Sequence, residues 1–243
     1  MSEPQNAAFQ LPKRRRIYLM RHGDVTYFDA SGRAIDPETV PLNAAGREQA
    51  SAAGRVFAGQ QVRFDRVIAS GLPRTVETAQ RVLAETGQQV ELEIQPAWQE
   101  IRGGKLGSIP AEDLEAAFLS AFDGIVPEET RFLGGETIGE LFDRVLPALA
   151  ALREDSAWDT ALLVLHGGVN RALLSHAITA GGRTFFGHLA QATGCINVLD
   201  VGAAPRDWVL RAINYSPPSP LHRDVRNTTM ELLYAQFIQY RRS

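Results

Sequence analysis

Ile17-Tyr18-Leu19-Met20-Arg21-His22-Gly23 is the stretch on which the reading of the fold turns. Four apolar residues followed at once by Arg-His-Gly read as a buried strand delivering two polar side chains to its end. A short unbroken apolar run fits a strand covered on both faces. In open α/β sheets, ligands sit beyond the carboxyl ends of such strands. Arg21 offers a rigid cationic fork suited to phosphate. His22 offers a nitrogen that is neutral and nucleophilic near pH 7. Gly23 lets the backbone turn sharply and approach a ligand. On its own the triplet reads more readily as a strand end with a satisfied core histidine.

The pattern returns downstream. Thr160-Ala161-Leu162-Leu163-Val164-Leu165 is the strongest buried-strand signal in the chain, and it ends in His166-Gly167-Gly168-Val169-Asn170. The helical stretch that follows should aim its N-terminus at the histidine. A structural role explains one such histidine easily and two with more difficulty. Between them, Arg66 to Ser70 reads as a strand running into Gly71-Leu72-Pro73-Arg74. Pro73 fits the first turn of a helix, and Val76, Ala79, Val82 and Leu83 have helical spacing. Arg74 thus lies in a first helical turn at a strand's carboxyl end, where backbone N–H groups and the helix dipole favour an anion. It is either an anion-binding residue or an exposed surface arginine, and this stretch does not choose.

The remaining elements follow from periodicity and caps. After Gly23 come Asp24 to Phe28 and a loop of turn formers that includes Asp29, Ser31, Gly32, Asp36, Pro37 and Pro41. Asn43 is an expected N-cap for a helix over Ala44 to Ala58, with Ala45, Ala52, Val56 and Phe57 as its apolar stripe. Gly46 and Gly54 in that helix imply close packing, expected against the sheet. Val90 to Ile94 is a third strand. Glu100 follows Trp98, precedes Ile101 and stands just before Gly103, Gly104 and Gly107. A partly desolvated carboxyl there would hold a proton near neutrality, although this stretch alone favours an ordinary turn glutamate. Residues 111–124 read as one amphipathic helix with Leu114, Phe118, Leu119 and Phe122 at spacings of three and four, followed by Ile125. A further helix runs from about Thr137 to Arg153, with Ile138, Leu141, Phe142, Val145 and Leu149 inward and Pro147 inside it. Ile196 to Val201 and Trp208 to Ile213 form a hairpin, and the tail turns helical at Thr229. Strands alternating with helices imply one layered α/β sheet.

Composition narrows the function. The 243 residues suit one α/β domain or two small ones and are enough to bury a large core. The net charge of −3 gives no global basic field for nucleic acid or an acidic membrane surface. No apolar run approaches the ~20 residues of a membrane helix, and the polar first 16 residues lack the apolar core of a signal peptide. The basic run Lys13 to Arg16 is expected to be a solvated lead-in to the first strand rather than a targeting patch. A lone cysteine, Cys195, fits a reducing compartment, so the expected location is cytoplasmic, and the residue is expected in the core. The five histidines are scattered without metal-ligand spacing. Oligomeric state is not legible.

Taken together, Arg21, His22, Arg74, Glu100 and His166 form a chemical set. Two guanidiniums can neutralise a phosphate dianion, neutral His22 can attack phosphorus, cationic His166 can stabilise the equatorial oxygens, and Glu100 can protonate the leaving alcohol. Phosphoryl transfer needs mostly positioning and charge stabilisation, so such a set suffices without a metal. The motifs Arg21-His22-Gly23, Ser70-x-Leu72-x-Arg74-x-x-x-Thr78-Ala79, Glu100-x-x-Gly103-x-x-x-Gly107, Gly135-Glu136 and His166-Gly167-Gly168 occur in that order. In this the chain resembles the histidine phosphatase superfamily, the phosphoglycerate mutase-like group, over about residues 17–200. The resemblance implies a three-layer α/β/α sandwich around a mostly parallel sheet and a phosphohistidine on His22. It also implies Arg21, Arg74 and His166 as phosphate pocket and Glu100 as proton donor. No metal or organic cofactor is implied for the phosphatases, whereas the mutases need a bisphosphorylated primer.

The chain also departs from the mutase pattern. Mutases follow Arg-His-Gly with Glu-Ser-x-Trp-Asn, where this chain reads Asp24-Val25-Thr26-Tyr27-Phe28. Residues 101–136 hold three cations, Arg102, Lys105 and Arg131, against seven acids, a poor setting for a bisphosphate. The expected function is therefore a phosphomonoester hydrolase. A bisphosphate-dependent phosphoglycerate mutase is the alternative, and a non-catalytic phosphoprotein-binding member is a third. Thr26, Tyr27, Phe28, Arg102, Gly167 and Asn170 are the expected substrate contacts. The aromatics of 111–124 are expected to cover an apolar entrance. The expected organisation is a lead over 1–16, a catalytic domain over 17–214 with a cap at about 101–136, and a tail over 215–243.

Overall fold

The structure, a computed structural model, describes residues 10–29, 33 and 35–241. Residues 1–9 of the expected lead, and Ser31 and Gly32 of the turn-rich loop, lie outside the described residues. Eight strands are described: β1 Arg15–Arg21, β2 Arg66–Ala69, β3 Leu92–Ile94, β4 Ile125–Val126, β5 Thr160–Leu165, β6 Phe185–Phe186, β7 Ile196–Val201 and β8 Trp208–Tyr215. The helices are α1 Ala44–Gly59, α2 Pro73–Thr86, α3 Leu114–Leu119, α4 Ile138–Glu154, α5 Gly167–Ile178 and α6 Thr229–Arg241.

Six strands form one sheet in the order β3-β2-β5-β1-β7-β8, and β4 and β6 make a small separate ribbon. The first four strands run parallel, while β7 and β8 add an antiparallel edge. Alternation along the apolar strands sends side chains to the two faces in turn. Ile17, Leu19, Leu163 and Leu165 meet Leu141, Val145, Ala172 and Leu173 of α4 and α5. Met20, Leu162 and Val164 meet Ala53, Phe57, Ala79 and Val82 of α1 and α2. The result is helices, sheet, helices in three layers, the α/β/α sandwich that the resemblance implied.

Register makes the fold functional. β1 lies beside β5 with Arg21 opposite Leu165, and His22 N–H donates to Leu165 C=O at 3.0 Å. The two strand-end histidines are therefore neighbours in space because their strands are neighbours in the sheet.

Several boundaries and faces differ from the sequence expectation. β1 begins at Arg15, because Arg14 pairs with Asp207, Arg16 with Asp200, and Arg15 lies over the Trp158 ring. The three arginines of the basic run are thus engaged by the fold, with Arg15 and Arg16 in the strand, and only Lys13 stays an exposed lead-in. In α1 the buried residues are Gly46, Ala50, Ala53, Gly54 and Phe57, one step round from the expected stripe. Its glycines do not face the sheet: a Cβ on Gly54 would meet Val82 and Glu85 of α2, and one on Gly46 would lie 2.1 Å from Asp24 C=O. Residues 111–124 are not one helix. A 3-10 turn over Ala111–Asp113, α3 and a 3-10 turn over Ser120–Phe122 replace it. Leu114 and Phe118 are 3% and 2% exposed and pack with Leu133 and with Met230 of α6. They are core between α3 and α6, so they do not line an entrance. The sequence did not reveal β4 and β6, each two residues long.

Gly46→Ala should lower stability by about 1–3 kcal/mol, because the added methyl collides with a backbone that carries the site loop. Gly59→Ala, where a Cβ meets nothing within 4 Å, should be neutral or gain up to ~1 kcal/mol. Urea unfolding of both variants checks this, and equal stabilities would contradict the close contact.

Candidate active site

Five elements converge at the carboxyl ends of β1, β2 and β5. Arg21, His22, Arg74 and His166 are 7%, 1%, 2% and 0% exposed. The His22 and His166 rings lie 5.2 Å apart, edge to face. Arg74 is therefore not a surface arginine: it sits in the first turn of α2 and its Nε donates to His22 Nε2 at 3.3 Å.

Hydrogen bonds fix the tautomer of each histidine. His22 Nδ1 lies 2.7 Å from Gly23 C=O, a group that can only accept, so Nδ1 carries the proton and Nε2 presents a lone pair. The guanidinium N–H of Arg74 requires the same assignment. His166 Nε2 is 2.7 Å from Ser70 Oγ, which is 3.0 Å from Thr75 Oγ1, whose hydroxyl donates to Leu72 C=O at 2.8 Å. Followed back from that carbonyl, each hydroxyl has one proton to give, so Ser70 accepts from His166 Nε2–H. His166 Nδ1 is then a buried nitrogen without a partner, as is Arg21 Nε. These are two of the three such side-chain atoms among the described residues. Unpaired buried polar atoms are costly, and their concentration here points to a polar ligand.

Both histidines are pushed well below the ordinary value of 6.5, first by burial and then by the neighbouring guanidiniums, Arg74 foremost. In the protein alone, burial thus favours a neutral His166, so the cationic form expected beside phosphate needs a negative partner. The same burial supports the expectation of a neutral His22.

Glu100 reaches the site from an irregular segment. Its carboxylate accepts from Gly168 N at 3.0 Å, Val169 N at 3.2 Å and Ile101 N at 2.9 Å. A Cβ on Gly168 would lie 2.6 Å from Glu100 Oε1, so the close approach requires glycine there. Glu100 is half-buried, and the neighbouring Trp98 lies in the core with its indole N–H given to Gln95.

Other expected contacts fall unevenly. Gly167 lies under the Arg21 guanidinium: a Cβ there would be 3.4 Å from Arg21 Nε. Asn170 is fully buried with its amide 3.2 Å from Gln191 Oε1, close to the residues that hold Arg21. Thr26 and Arg102 are exposed, and Tyr27 and Phe28 are half-buried. Sequence reasoning missed several supports. Thr78 Oγ1 accepts from Gly23 N and donates to Arg74 C=O. Buried Gln191 and Asn197 bond each other, Gln191 C=O takes Arg21 Nη1, and Asn197 reaches Leu19 C=O. Thr229, at the start of α6, lies 3.2 Å from Arg21 Nη1. Buried Arg171 donates to Gly187 and Gly167 carbonyls, and burial with the nearby Arg21 charge lowers its pKa to about 10. Arg171 is four residues past Gly167, a helical spacing that could have flagged it. Cys195 is buried, and its thiol is pushed up to about 11 by burial, as a core residue would be.

This geometry coincides with a family signature. The model of the histidine phosphatase superfamily (branch 1) matches residues 17–216. The chain belongs to that family. Among its relatives, "Phosphoglycerate mutase-like protein 4" of Arabidopsis thaliana is 29% identical over 163 residues, 66% of this chain and 70% of that protein. The "Metal-independent phosphoserine phosphatase" of the same plant is 31% identical over 176 residues, 68% of this chain and 71% of its own. A solved structure of a putative alpha-ribazole-5'-P phosphatase from Escherichia coli superposes with a TM-score of 0.65 at 27% identity, covering 82% of this chain and 96% of that one. The phosphatase superfamily thus supplies relatives of both phosphatase and mutase-like description. No helix among the described residues is long and apolar enough to cross a membrane.

An NMR titration of the imidazole nitrogens should find His22 in the Nδ1–H tautomer and both His22 and His166 uncharged as pH falls through 6.5. The unfolded chain takes up these protons near that pH and the folded chain does not, so this pair lowers stability as pH drops below 6.5. Midpoints at or above 6.5 for both would contradict the burial argument.

Proposed function

We propose that this protein is a phosphomonoesterase that works through a phosphohistidine on His22, with Glu100 as proton donor. The observation that carries the reading is the unprotonated His22 Nε2, oriented by Gly23 C=O and Arg74 among buried Arg21, Arg74 and His166. In the first step Nε2 attacks phosphorus in line. The N–P bond forms, the bond from phosphorus to the ester oxygen breaks, and that oxygen takes the proton from Glu100. In the second step water gives a proton to the Glu100 carboxylate and its oxygen attacks phosphorus. The N–P bond breaks, inorganic phosphate leaves, and both residues return to their starting forms.

Arg21 and Arg74 supply the charge that the transferring group needs at its oxygens, with the enthalpic advantage of charge-assisted bonds. A phosphate dianion beside His166 brings the negative charge that burial withholds, and it draws a proton onto Nδ1. His166 then donates to the phosphoryl oxygens, the role the sequence assigned to its cationic form.

The hydrolase is favoured over the mutase by charge in the segment 101–136. Glu128 is taken by Arg183 and Glu136 by Arg144, both from outside the segment. Five acids remain there against Arg102, Lys105 and Arg131, and Arg131 itself donates to Gly135 C=O. A second phosphate group finds no cationic seat in such a segment.

The test is a panel of phosphomonoesters assayed in excess EDTA. Wild-type protein should release phosphate without a primer, and acid-labile, base-stable phosphate should appear on His22 after rapid quench. His22→Ala should abolish both. Substantial activity in that variant, or turnover only with a bisphosphoglycerate primer, would overturn the reading.

Glu100→Gln should slow alkyl phosphates by roughly 10²–10⁴ and p-nitrophenyl phosphate far less, since that leaving group hardly needs a proton. Equal losses on both would assign Glu100 to binding or folding.

A further inference from the structure

The segment that carries Glu100 has no regular structure of its own: between the 3-10 turns Pro96–Trp98 and Leu106–Ser108 the chain is irregular. On the N-terminal side its backbone carbonyls are held by one side chain. Arg144, on α4, donates from Nη1 to Ala97 C=O at 2.9 Å and Gln99 C=O at 2.7 Å, and from Nη2 to Glu100 C=O at 3.4 Å. The other edge of the same guanidinium clasps Glu136, with Nε to Oε1 at 3.1 Å and Nη2 to Oε2 at 2.9 Å. Glu136 passes the hold onward, because its Oε2 accepts from Arg102 N at 3.0 Å and its own N–H donates to Arg102 C=O at 2.8 Å. The two side chains are only 16% and 9% exposed.

We propose that Arg144, locked by Glu136, is the positioning residue for the Glu100 carboxyl. The inference rests on the reading of Glu100 as proton donor. All three nitrogens of the guanidinium are engaged by protein, so Arg144 has little left to offer a substrate. What it does is fix the backbone on both sides of Glu100, from Ala97 through Glu136 to Arg102. The far end of the Glu100 side chain is fixed separately by Gly168 and Val169 at the start of α5. With both ends held, the carboxyl has one place to be. Misplacing a reacting group by about 1 Å costs on the order of a hundredfold in rate. A lysine cannot reproduce the hold, since it has one nitrogen where the clasp uses a planar fork with two faces.

The experiment compares kcat on an alkyl phosphate and on p-nitrophenyl phosphate for wild type, Arg144→Met, Arg144→Lys, Glu136→Gln, Glu100→Gln and the double variant Glu100→Gln/Arg144→Met. Thermal unfolding of each protein runs alongside. Arg144→Met should lose on the order of tenfold more on the alkyl ester than on p-nitrophenyl phosphate, with Arg144→Lys no rescue. In the Glu100→Gln background, Arg144→Met should add no further leaving-group selectivity. Glu136→Gln, nearly isosteric, should show the same selective loss in smaller degree and serves if Arg144→Met does not fold. Equal losses on both esters in Glu136→Gln or Arg144→Met, with Glu100→Gln still selective, would overturn the positioning role and leave the proposed mechanism standing. If Glu100→Gln itself is unselective, the proton-donor reading fails and this inference fails with it.

Discussion

Positive charge buried at the carboxyl end of a parallel sheet is the constraint around which this protein is built. Arg21, Arg74 and Arg171 are each less than a tenth exposed. A buried ion must be compensated or it destabilises the fold. Among the described residues these guanidiniums turn to backbone carbonyls: Arg21 to Gln191, Arg74 to Pro37, Arg171 to Gly187 and Gly167. Carbonyl dipoles satisfy donors but do not neutralise charge. The cluster therefore keeps a positive field, which adds to the larger effect of burial in lowering the pKa of both histidines and of Arg171 itself. A dianionic phosphoryl group is the ligand class that such a field stabilises, and the cost of burying the cluster in its absence is met by the cores on both faces of the sheet.

The motif spacings become intelligible as wiring. In Ser70-x-Leu72-x-Arg74-x-x-x-Thr78, Ser70 leaves the end of β2 and fixes the His166 tautomer, Arg74 meets His22 Nε2, and Thr78 ties Gly23 to Arg74. Arg74 and Thr78 are one helical turn apart and so share a face of α2. The two histidines are wired in opposite senses: His22 is anchored through Nδ1 and presents Nε2, His166 is anchored through Nε2 and keeps Nδ1. Similar sequence settings thus give one histidine that presents Nε2, the proposed nucleophile, and one that presents Nδ1, because the anchors come from different elements.

The six strands of the main sheet and their order of appearance were legible from local signals, chiefly unbroken apolar runs, whereas the five chemical residues stood out only in combination and through the family resemblance, because each local stretch also fitted a structural role. The α1 face was misread by one step because its contacts are to Gly23–Asp24 and to α2, and glycine packing leaves no apolar signature. Residues 111–124 kept helical spacing yet broke into turns. Their apolar residues were read as facing a site, whereas α6 covers them through Met230. That contact spans more than a hundred residues of sequence and has no local trace. The supports for Arg21 were illegible for the same reason, since Gln191 and Asn197 are ordinary amides until the fold brings them under it.

The start of α5 shows how closely the chemistry is tied to the fold. A helix N-terminus commonly serves as an anion site for phosphate itself. Here His166 stands at the N-cap position and makes no side-chain cap, because its ring is given to Ser70. The orphaned N–H groups of Gly168 and Val169 are satisfied by the Glu100 carboxylate, 68 residues away in sequence. The dipole that would otherwise hold a phosphate is thereby spent on the proposed acid. Under the proposed function the phosphoryl group then relies on side chains, on Arg21, Arg74 and the histidines, which stand buried together at the strand ends. Glycine at 168 is the hinge of the arrangement. Any side chain there would displace the carboxyl, uncap the helix and separate the acid from the histidine beside which it has to work.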